Sequence, residues 1–321
     1  MNLNQLKKTC LYIMLLMLFT SCDQPTDIDS VNLNFSTDNV IILNISLGFI
    51  MFGVALQLRI SDFIHVFKFP KSVIAGFLSQ FLALPLFTFL LVLIMQPAPS
   101  IALGMILVAS CPGGNISNFM TSFAKGNTAL SVCMTAIASV LAVFMTPLNL
   151  SIWGNLYQPT SEIINEISID FIDMLKIISV ILILPLITGM LVRHYLPKIA
   201  DGLNKFMQIS SLVIFVGIVY FAFNANFDLF TKYIGVVLFI VLAHNTVGIL
   251  TGLSVAKLFN LPKEDKKTLA IETGIQNSGL GLGLIFTFFD GLGGMAIIAG
   301  WWGIWHILSG LSVAYFFRKR W

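Results

Sequence analysis

The chain has 321 residues, of which 57% are hydrophobic and 10% are charged, with a formal net charge of +3. Soluble domains carry about 25% charged residues, so this composition excludes an ordinary soluble protein and indicates an all-α polytopic membrane protein. The four cysteines have no CxxC spacing, so the sequence predicts neither a disulfide framework nor a zinc motif.

Residues 1–22 have the pattern of a signal peptide. Two lysines precede an apolar run of about a dozen residues, which is shorter than a typical membrane span. The sequence F-T-S-C ending at Cys22 resembles a bacterial lipoprotein cleavage box. Lipidation of Cys22, ordinary cleavage and an uncleaved anchor all stay open. Residues 23–39 are polar and rich in aspartate, so we expect an exposed tether before a transporter domain at 40–321.

After this tether we predict about nine segments long enough to cross about 30 Å of hydrocarbon. These segments lie at approximately 40–58, 72–95, 100–124, 128–153, 173–195, 205–223, 233–257, 266–290 and 295–317. Lysine and arginine are concentrated in alternate connections and in the last residues of the chain. The positive-inside rule therefore places the amino terminus outside and the carboxyl terminus in the cytoplasm.

Two of the predicted spans are interrupted. The span at 100–124 contains C-P-G-G beginning at Cys111, where proline removes a backbone donor. The span at 266–290 contains I-E-T-G-I-Q-N-S-G-L-G-L-G beginning at Ile271, with the Glu272 carboxylate inside an apolar run. Such a carboxylate costs roughly 2.5–3.5 kcal/mol on insertion scales and normally faces a cavity, an ion or a partner. Two interrupted spans at corresponding positions in the two halves of the chain indicate the binding site of a secondary transporter. The alternative is a kinked helix with a structural contact between Glu272 and an amide.

Further polar residues lie inside the apolar spans. Ser131 and Thr135 share one helix face at i, i+4 spacing, although such hydroxyls also bond back to their own helix. Gln80 is isolated in its span, where it could also join two helices. The full set offers neutral oxygens and one negative charge, which suits Na⁺. Its members are Gln80, Ser117, Asn118, Ser131, Thr135, Glu272 and Gln276.

Two histidines, His244 and His306, also lie inside predicted spans. We expect a structural role for His244, whereas a structural and a functional role stay open for His306. The sequence has no HExxH, no phosphate-binding loop and no nucleophile with a base at usable spacing, so no enzyme is predicted. No basic patch with interleaved aromatic residues indicates nucleic-acid binding.

Several of these motifs together resemble the bile acid:sodium symporter family. The matching stretches are I-M-F-G from Ile50, S-D-F from Ser61, C-P-G-G from Cys111, K-G-N from Lys125, L-A-H-N from Leu242, and Q-N-S-G from Gln276. The resemblance runs from about residue 40 to 317 and implies a bacterial sodium-dependent organic anion transporter.

The resemblance implies a fold of two bundles with internal inverted repeats. A panel would comprise about 40–58 and 173–223, and a core would comprise about 72–153 and 233–317, with the two broken helices crossing. Bacterial relatives have ten spans, and here the signal segment stands where the first would be, which leaves nine.

The resemblance also implies two sodium sites and a substrate cavity. The first ion site would use Ser117, Asn118, Ser131, Thr135 and Glu272. The second would use Gln80, Glu272 and Gln276, with main-chain oxygens of Thr273 and Ile275. Asn115, Asn277 and His306 would face the substrate. Asn115 stands where relatives often have Thr, and Ile307 where they often have Asn. The family's ion-binding residues therefore match this sequence better than its substrate-binding residues do.

We therefore expect a sodium-coupled symporter in the bacterial inner membrane, surrounded by lipid, with no obligate protein partner. Two Na⁺ ions would drive uptake of an organic anion such as a bile acid, pantoate or a keto acid by alternating access. A proton-coupled carrier or an arsenite-type exporter is the alternative within transport. An intramembrane hydrolase or a membrane sensor is the alternative from another class.

Overall fold

The computed structural model describes residues 26–33, 37–59, 70–167 and 171–321. Helices make up most of these ranges, and the extended pairing within them consists of two isolated bridges. The all-α prediction is therefore confirmed for the part of the chain that the structure describes. The predicted signal peptide at 1–22, with Cys22, and the S-D-F motif at Ser61 lie outside the described residues.

Most helices overlap a predicted span, whereas the helix Gln158–Ile167 lies between the predicted spans 128–153 and 173–195. The first seven are α1 (Thr37–Ala55), α2 (Pro70–Leu78), α3 (Leu84–Met95), α4 (Pro99–Ser110), α5 (Ile116–Phe123), α6 (Thr128–Leu156) and α7 (Gln158–Ile167). The next seven are α8 (Phe171–Ile178), α9 (Leu184–Tyr195), α10 (Pro197–Ala225), α11 (Phe227–Leu258), α12 (Lys263–Gly274), α13 (Ser278–Phe288) and α14 (Gly293–Arg320). Two π-helical turns, Ser79–Ala83 and Ser179–Ile183, join α2 to α3 and α8 to α9.

Five helical stretches among the described residues are long and apolar enough to cross a membrane. They are Pro70–Met95, Thr128–Leu156, Ile172–Tyr195, Phe230–Leu258 and Gly293–Arg320. Two other predicted spans are each divided into shorter helices, α4 with α5 and α12 with α13. The total of nine spans and the inverted repeats therefore stay predictions.

The two broken segments meet at their interruptions. Residues 113 and 276 form an antiparallel bridge. The Gly114 N–H donates to the Ile275 carbonyl at 2.7 Å, and the Asn277 N–H donates to the Pro112 carbonyl at 2.9 Å. An unwound backbone inside a bilayer has no water to bond, so its donors and acceptors must be satisfied within the protein. Each interruption therefore supplies bonding partners for the other.

The remaining helices pack around this crossing. Helix α14 lies against α4, where the Cβ position of Gly104 is only 2.8 Å from the Met295 Cα, so a larger residue would separate the two helices. Helix α11 packs along α12. Helix α1 packs against α9 and α10, so the three segments of the predicted panel lie together.

Part of the segment 23–39, predicted as an exposed tether, packs against the helices. Ile28 and Leu33 are buried, with 0% and 4% of their surface exposed. The Leu33 N–H donates to the Gly291 carbonyl, and the Asp29 carboxylate accepts the Ser100 N–H at 2.7 Å. The segment therefore packs against α4, α14 and the turn between α13 and α14, because its apolar residues bury there and its carboxylate accepts the free Ser100 N–H in the first turn of α4.

We expect Asp29→Ala to lower the free energy of unfolding by about 1 kcal/mol, because it removes the side-chain cap of α4. Thermal unfolding of purified protein in detergent measures the change. Asn32→Ala is the matched control, since the Asn32 side chain is exposed while its backbone forms the bridge to Leu292. Equal stability of Asp29→Ala and the wild type would contradict the capping role.

Candidate functional site

The Glu272 carboxylate lies in the last turn of α12, and only 2% of the residue surface is exposed. Its Oε1 atom accepts hydrogen bonds from the Ser117 hydroxyl at 2.6 Å and from the Ser131 hydroxyl. The Thr135 hydroxyl is 3.2 Å from Oε2. Neither of the two ion pairs found among the described residues involves Glu272. The negative charge is thus surrounded by neutral oxygen atoms.

Local helix geometry explains how these hydroxyls converge. Ser131 and Thr135 occupy one face of α6, as their i, i+4 spacing predicts, and Ser117 lies in the first turn of α5. The Asn118 Oδ1 lies 3.3 Å from the Thr135 hydroxyl. The structure therefore brings together all five residues predicted for the first ion site, from three different helices.

The residues predicted for the second ion site adjoin the crossing. Gln80 donates to the Gln276 side-chain oxygen at 2.7 Å and to the Cys111 carbonyl at 3.0 Å. Gln276 in turn donates to the Thr273 carbonyl at 2.8 Å. The Ile275 carbonyl accepts the Gly114 N–H. A carbonyl oxygen has two lone pairs, so these hydrogen bonds leave capacity for a cation.

A small cavity of about 20 Å³ lies between α2, α6 and the crossing. Gln80, Gly113, Met134 and Glu272 are among its lining residues. A space of this size holds roughly one water-sized particle. Within the described ranges, no group of three His, Cys, Asp or Glu residues is arranged to hold a metal ion. The donor set at Glu272 has one carboxylate among neutral oxygens, which fits a monovalent cation better than a divalent one.

A larger cavity of about 680 Å³ lies between the crossing and α1. Asn115, Asn277 and His306, the three predicted substrate residues, all line it. The buried Asn115 Oδ1 and His306 Nδ1 atoms have no hydrogen-bond partner among the described residues, and the same holds for the Ser278 hydroxyl. Buried polar atoms are usually paired, so these atoms are available to a ligand in the cavity.

The structure separates the two intramembrane histidines. His306 lines the large cavity, whereas His244 is fully buried, shares a hydrogen bond of 2.8 Å with Thr88 and contacts the Trp302 ring. The structural role predicted for His244 agrees with these contacts.

Three residues close to the site were not predicted as site residues. Ser79 shares a 2.8 Å hydrogen bond with the Thr273 hydroxyl, and Ser278 lines the large cavity. Asn245 donates to the Gly274 carbonyl at 2.7 Å. The motifs L-A-H-N and Q-N-S-G contain Asn245 and Ser278, and so gave a signal for both, whereas nothing in the sequence distinguished Ser79.

Comparison with known proteins identifies relatives along most of the chain. Residues 44–233 match the model of the Sodium Bile acid symporter family. The Uncharacterized sodium-dependent transporter YocS of Bacillus subtilis is 34% identical over 87% of this chain and 83% of its own length. The chloroplastic Probable sodium/metabolite cotransporter BASS1 of Arabidopsis thaliana is 31% identical over 80% of this chain. Sodium/bile acid cotransporter 5 of Rattus norvegicus is 29% identical over 80%. The aligned part covers 61% and 58%, respectively, of these last two proteins.

We expect Gly113→Ala to destabilise the fold by about 1–3 kcal/mol, the usual cost of overpacking. The added Cβ would lie 3.0 Å from the Glu272 Oε2 atom and would push the carboxylate away from its hydroxyl donors. The midpoint of thermal unfolding in sodium-free buffer measures this cost.

Gly281→Ala is the matched control in the same region. Its Cβ would meet its nearest neighbours, Cys111 and Ala299, at 3.8 and 3.9 Å, and alanine favours the α13 helix. Equal destabilisation by both substitutions would contradict a specific displacement of Glu272.

Proposed function

Because the chain belongs to the sodium bile acid symporter family, we propose that it is a symporter that couples uptake of an organic anion to Na⁺. Proteins of this family are membrane transporters coupled to sodium, and they are not enzymes. The observation that carries the proposal is the buried Glu272 carboxylate, which contacts three hydroxyl groups and forms no ion pair with the described basic residues.

In the proposal, the first Na⁺ binds between α5, α6 and α12. Glu272 supplies the negative charge, and Ser117, Asn118, Ser131 and Thr135 supply neutral oxygens. The Ser117 and Ser131 hydroxyls now donate to the carboxylate, whereas the Thr135 hydroxyl lies 3.0 Å from the Ser131 carbonyl and 3.2 Å from the Glu272 Oε2 atom. These hydroxyls would rotate to present their lone pairs when a cation enters. Hard monovalent cations prefer such oxygen ligands.

The second Na⁺ binds beside the crossing in this proposal. Gln80, Glu272 and Gln276 would provide side-chain oxygens, and Thr273 and Ile275 would provide carbonyl oxygens. The small cavity next to Gln80 and Glu272 supports this placement, because it leaves room for one particle of about the size of a water molecule. Glu272 would then contact both ions.

The substrate in the proposal is a carboxylate in the 680 Å³ cavity. None of the described residues that line this cavity is a lysine or an arginine. The carboxamide N–H groups of Asn115 and Asn277 and a ring N–H of His306 would donate hydrogen bonds to the anion. The amino termini of α5 and α13 also lie at the cavity, and helix amino termini attract negative charge. A bile acid, pantoate and a keto acid all satisfy this description.

Ion binding and substrate binding would be coupled through shared residues. Asn118 belongs to the first ion site and lines the large cavity, and Gln276 belongs to the second ion site and also lines that cavity. By linkage, each ligand would then tighten the binding of the other by the same factor. Alternating access would follow from movement of the core against the panel, in the bacterial inner membrane, with the amino terminus outside.

We expect Glu272→Gln to lower Na⁺ affinity roughly a hundredfold or more, because attraction between unit charges 4 Å apart is about 4 kcal/mol at an effective dielectric constant of 20. Isothermal calorimetry on purified protein, with K⁺ and choline as comparison cations, measures this loss. Uptake of a panel of carboxylates into vesicles with and without a Na⁺ gradient measures the loss of coupling.

Glu264→Gln is the matched control, because Glu264 is an exposed carboxylate on the same helix. It should keep wild-type Na⁺ affinity. Wild-type uptake that persists without Na⁺ and collapses with the pH gradient would contradict sodium coupling and favour a proton-coupled carrier.

We expect His306→Ala to raise the KM for the transported carboxylate by roughly tenfold to a hundredfold, the value of one hydrogen bond to a charged group. Na⁺ affinity without substrate should stay unchanged, because His306 lies outside both proposed ion sites. Ser309→Ala, one turn further along α14, is the control, since its hydroxyl bonds the His306 carbonyl and lies outside the large cavity. Equal KM values for His306→Ala and the wild type would contradict contact between His306 and the substrate.

A further inference from the structure

One face of helix α11 supports the half-helix that carries Glu272. Asn245, Gly248 and Gly252 occupy this face at i, i+3 and i+7 and all contact α12 or its end. The Cβ position of Gly248 is 3.1 Å from the Thr273 carbonyl oxygen, and that of Gly252 meets the Leu269 carbonyl. Backbone of α12 thus lies directly on α11, and Asn245 is at the end of this contact where α12 unwinds.

Asn245 makes a single directed contact with the unwound backbone. Its Nδ2 atom donates to the Gly274 carbonyl at 2.7 Å, and 1% of the residue surface is exposed. The other side of the same peptide group is also held, because the Ile275 N–H donates to the Ile271 carbonyl at 3.0 Å. Two hydrogen bonds therefore fix the orientation of the peptide between Gly274 and Ile275.

The orientation of this peptide controls its neighbours. The carbonyls before and after it belong to Thr273 and Ile275, the two proposed main-chain ligands of the second Na⁺. Gly274 must be glycine here, because the Ile249 side chain occupies the place of its Cβ. Glycine also has the greatest backbone freedom, so the peptide would rotate readily without an external bond.

We propose that Asn245 is a positioning residue for the second sodium site, which it serves by fixing the Gly274 carbonyl without contacting the ion. This inference rests on the proposed function. Without the carboxamide donor, the buried Gly274 carbonyl would have to turn toward another donor or toward the cation. The Thr273 and Ile275 carbonyls would then lose the spacing that fits Na⁺.

The contact is distinct from general packing of α11. One residue earlier, His244 bonds Thr88 of α3, and this bond fastens α11 to a different helix. A loss of helix docking and a loss of peptide orientation can therefore be separated by substitutions at adjacent positions.

The test compares Asn245→Leu, which keeps the number and branching of the side-chain heavy atoms without a donor, with Asn245→Ala. Calorimetric titration of the full-length protein with Na⁺ and with Li⁺ gives both affinities. We expect Na⁺ affinity to fall about tenfold, because the free energy lost when a buried carbonyl has no hydrogen-bond donor corresponds to about a factor of ten in a binding constant. The ratio of Na⁺ to Li⁺ affinity should also fall, because it depends on carbonyl spacing, while the maximal uptake rate at saturating Na⁺ stays near the wild-type rate.

Thr88→Val is the matched control, since it removes a buried hydrogen bond of α11 that does not reach the unwound backbone. It should lower the unfolding temperature and leave Na⁺ affinity and the Na⁺/Li⁺ ratio unchanged. Wild-type values of both quantities in Asn245→Leu would overturn the inference. If neither Asn245 variant folds, Asn245→Ser is the variant to measure, because the shorter serine hydroxyl does not reach the Gly274 carbonyl. Wild-type Na⁺ affinity in Asn245→Ser would overturn the inference. A wild-type protein that does not bind Na⁺ would instead contradict the proposed function.

Discussion

The structure depends on the requirement that backbone polar groups inside a membrane be bonded within the protein. Each unsatisfied group costs several kcal/mol in hydrocarbon, so two interrupted helices would be unstable if they lay apart. Residues 112–114 and 275–277 instead bond to one another, and side chains of Gln80 and Asn245 take up two further carbonyls. The interruptions are stable because they are paired, and the pairing fixes where Glu272 lies.

The balance of energies around Glu272 explains why its surroundings suit a cation. Each hydrogen bond to a charged group contributes about 1.5–3 kcal/mol, so three hydroxyls offset only part of the cost of a buried carboxylate, which is tens of kcal/mol by Born solvation. A cation bound among the same oxygens would neutralise the charge and replace the missing solvation. A lysine or arginine beside Glu272 would neutralise the carboxylate permanently, and a bound cation would then gain no attraction from it.

Parts of this site could be predicted from the sequence because they depend on local spacing. A carboxylate in an apolar run identifies Glu272, i, i+4 spacing identifies Ser131 and Thr135, and proline with glycine identifies the first interruption. Ser79 could not be found this way, because the π-helical turn that directs both Ser79 and Gln80 toward α12 and the crossing leaves no clear sequence signal. The burial of Ile28 was missed for another reason: its contacts lie on helices that are distant in sequence.

The arrangement also indicates how a small ion could influence a larger cavity. Asn118 and Gln276 lie at the boundary, each with one side toward the Glu272 region and one toward the 680 Å³ cavity. The Asn118 Oδ1 atom already accepts the Thr135 hydroxyl on the Glu272 side, whereas the Gln276 Nε2 atom donates to the Thr273 carbonyl. In the proposed cycle, an ion that binds the Gln276 side-chain oxygen and the Thr273 carbonyl would release this N–H group toward the cavity, where an anion needs donors. Coupling then requires that the Gln276 amide reorient, and the crossing backbone can stay rigid while it does so.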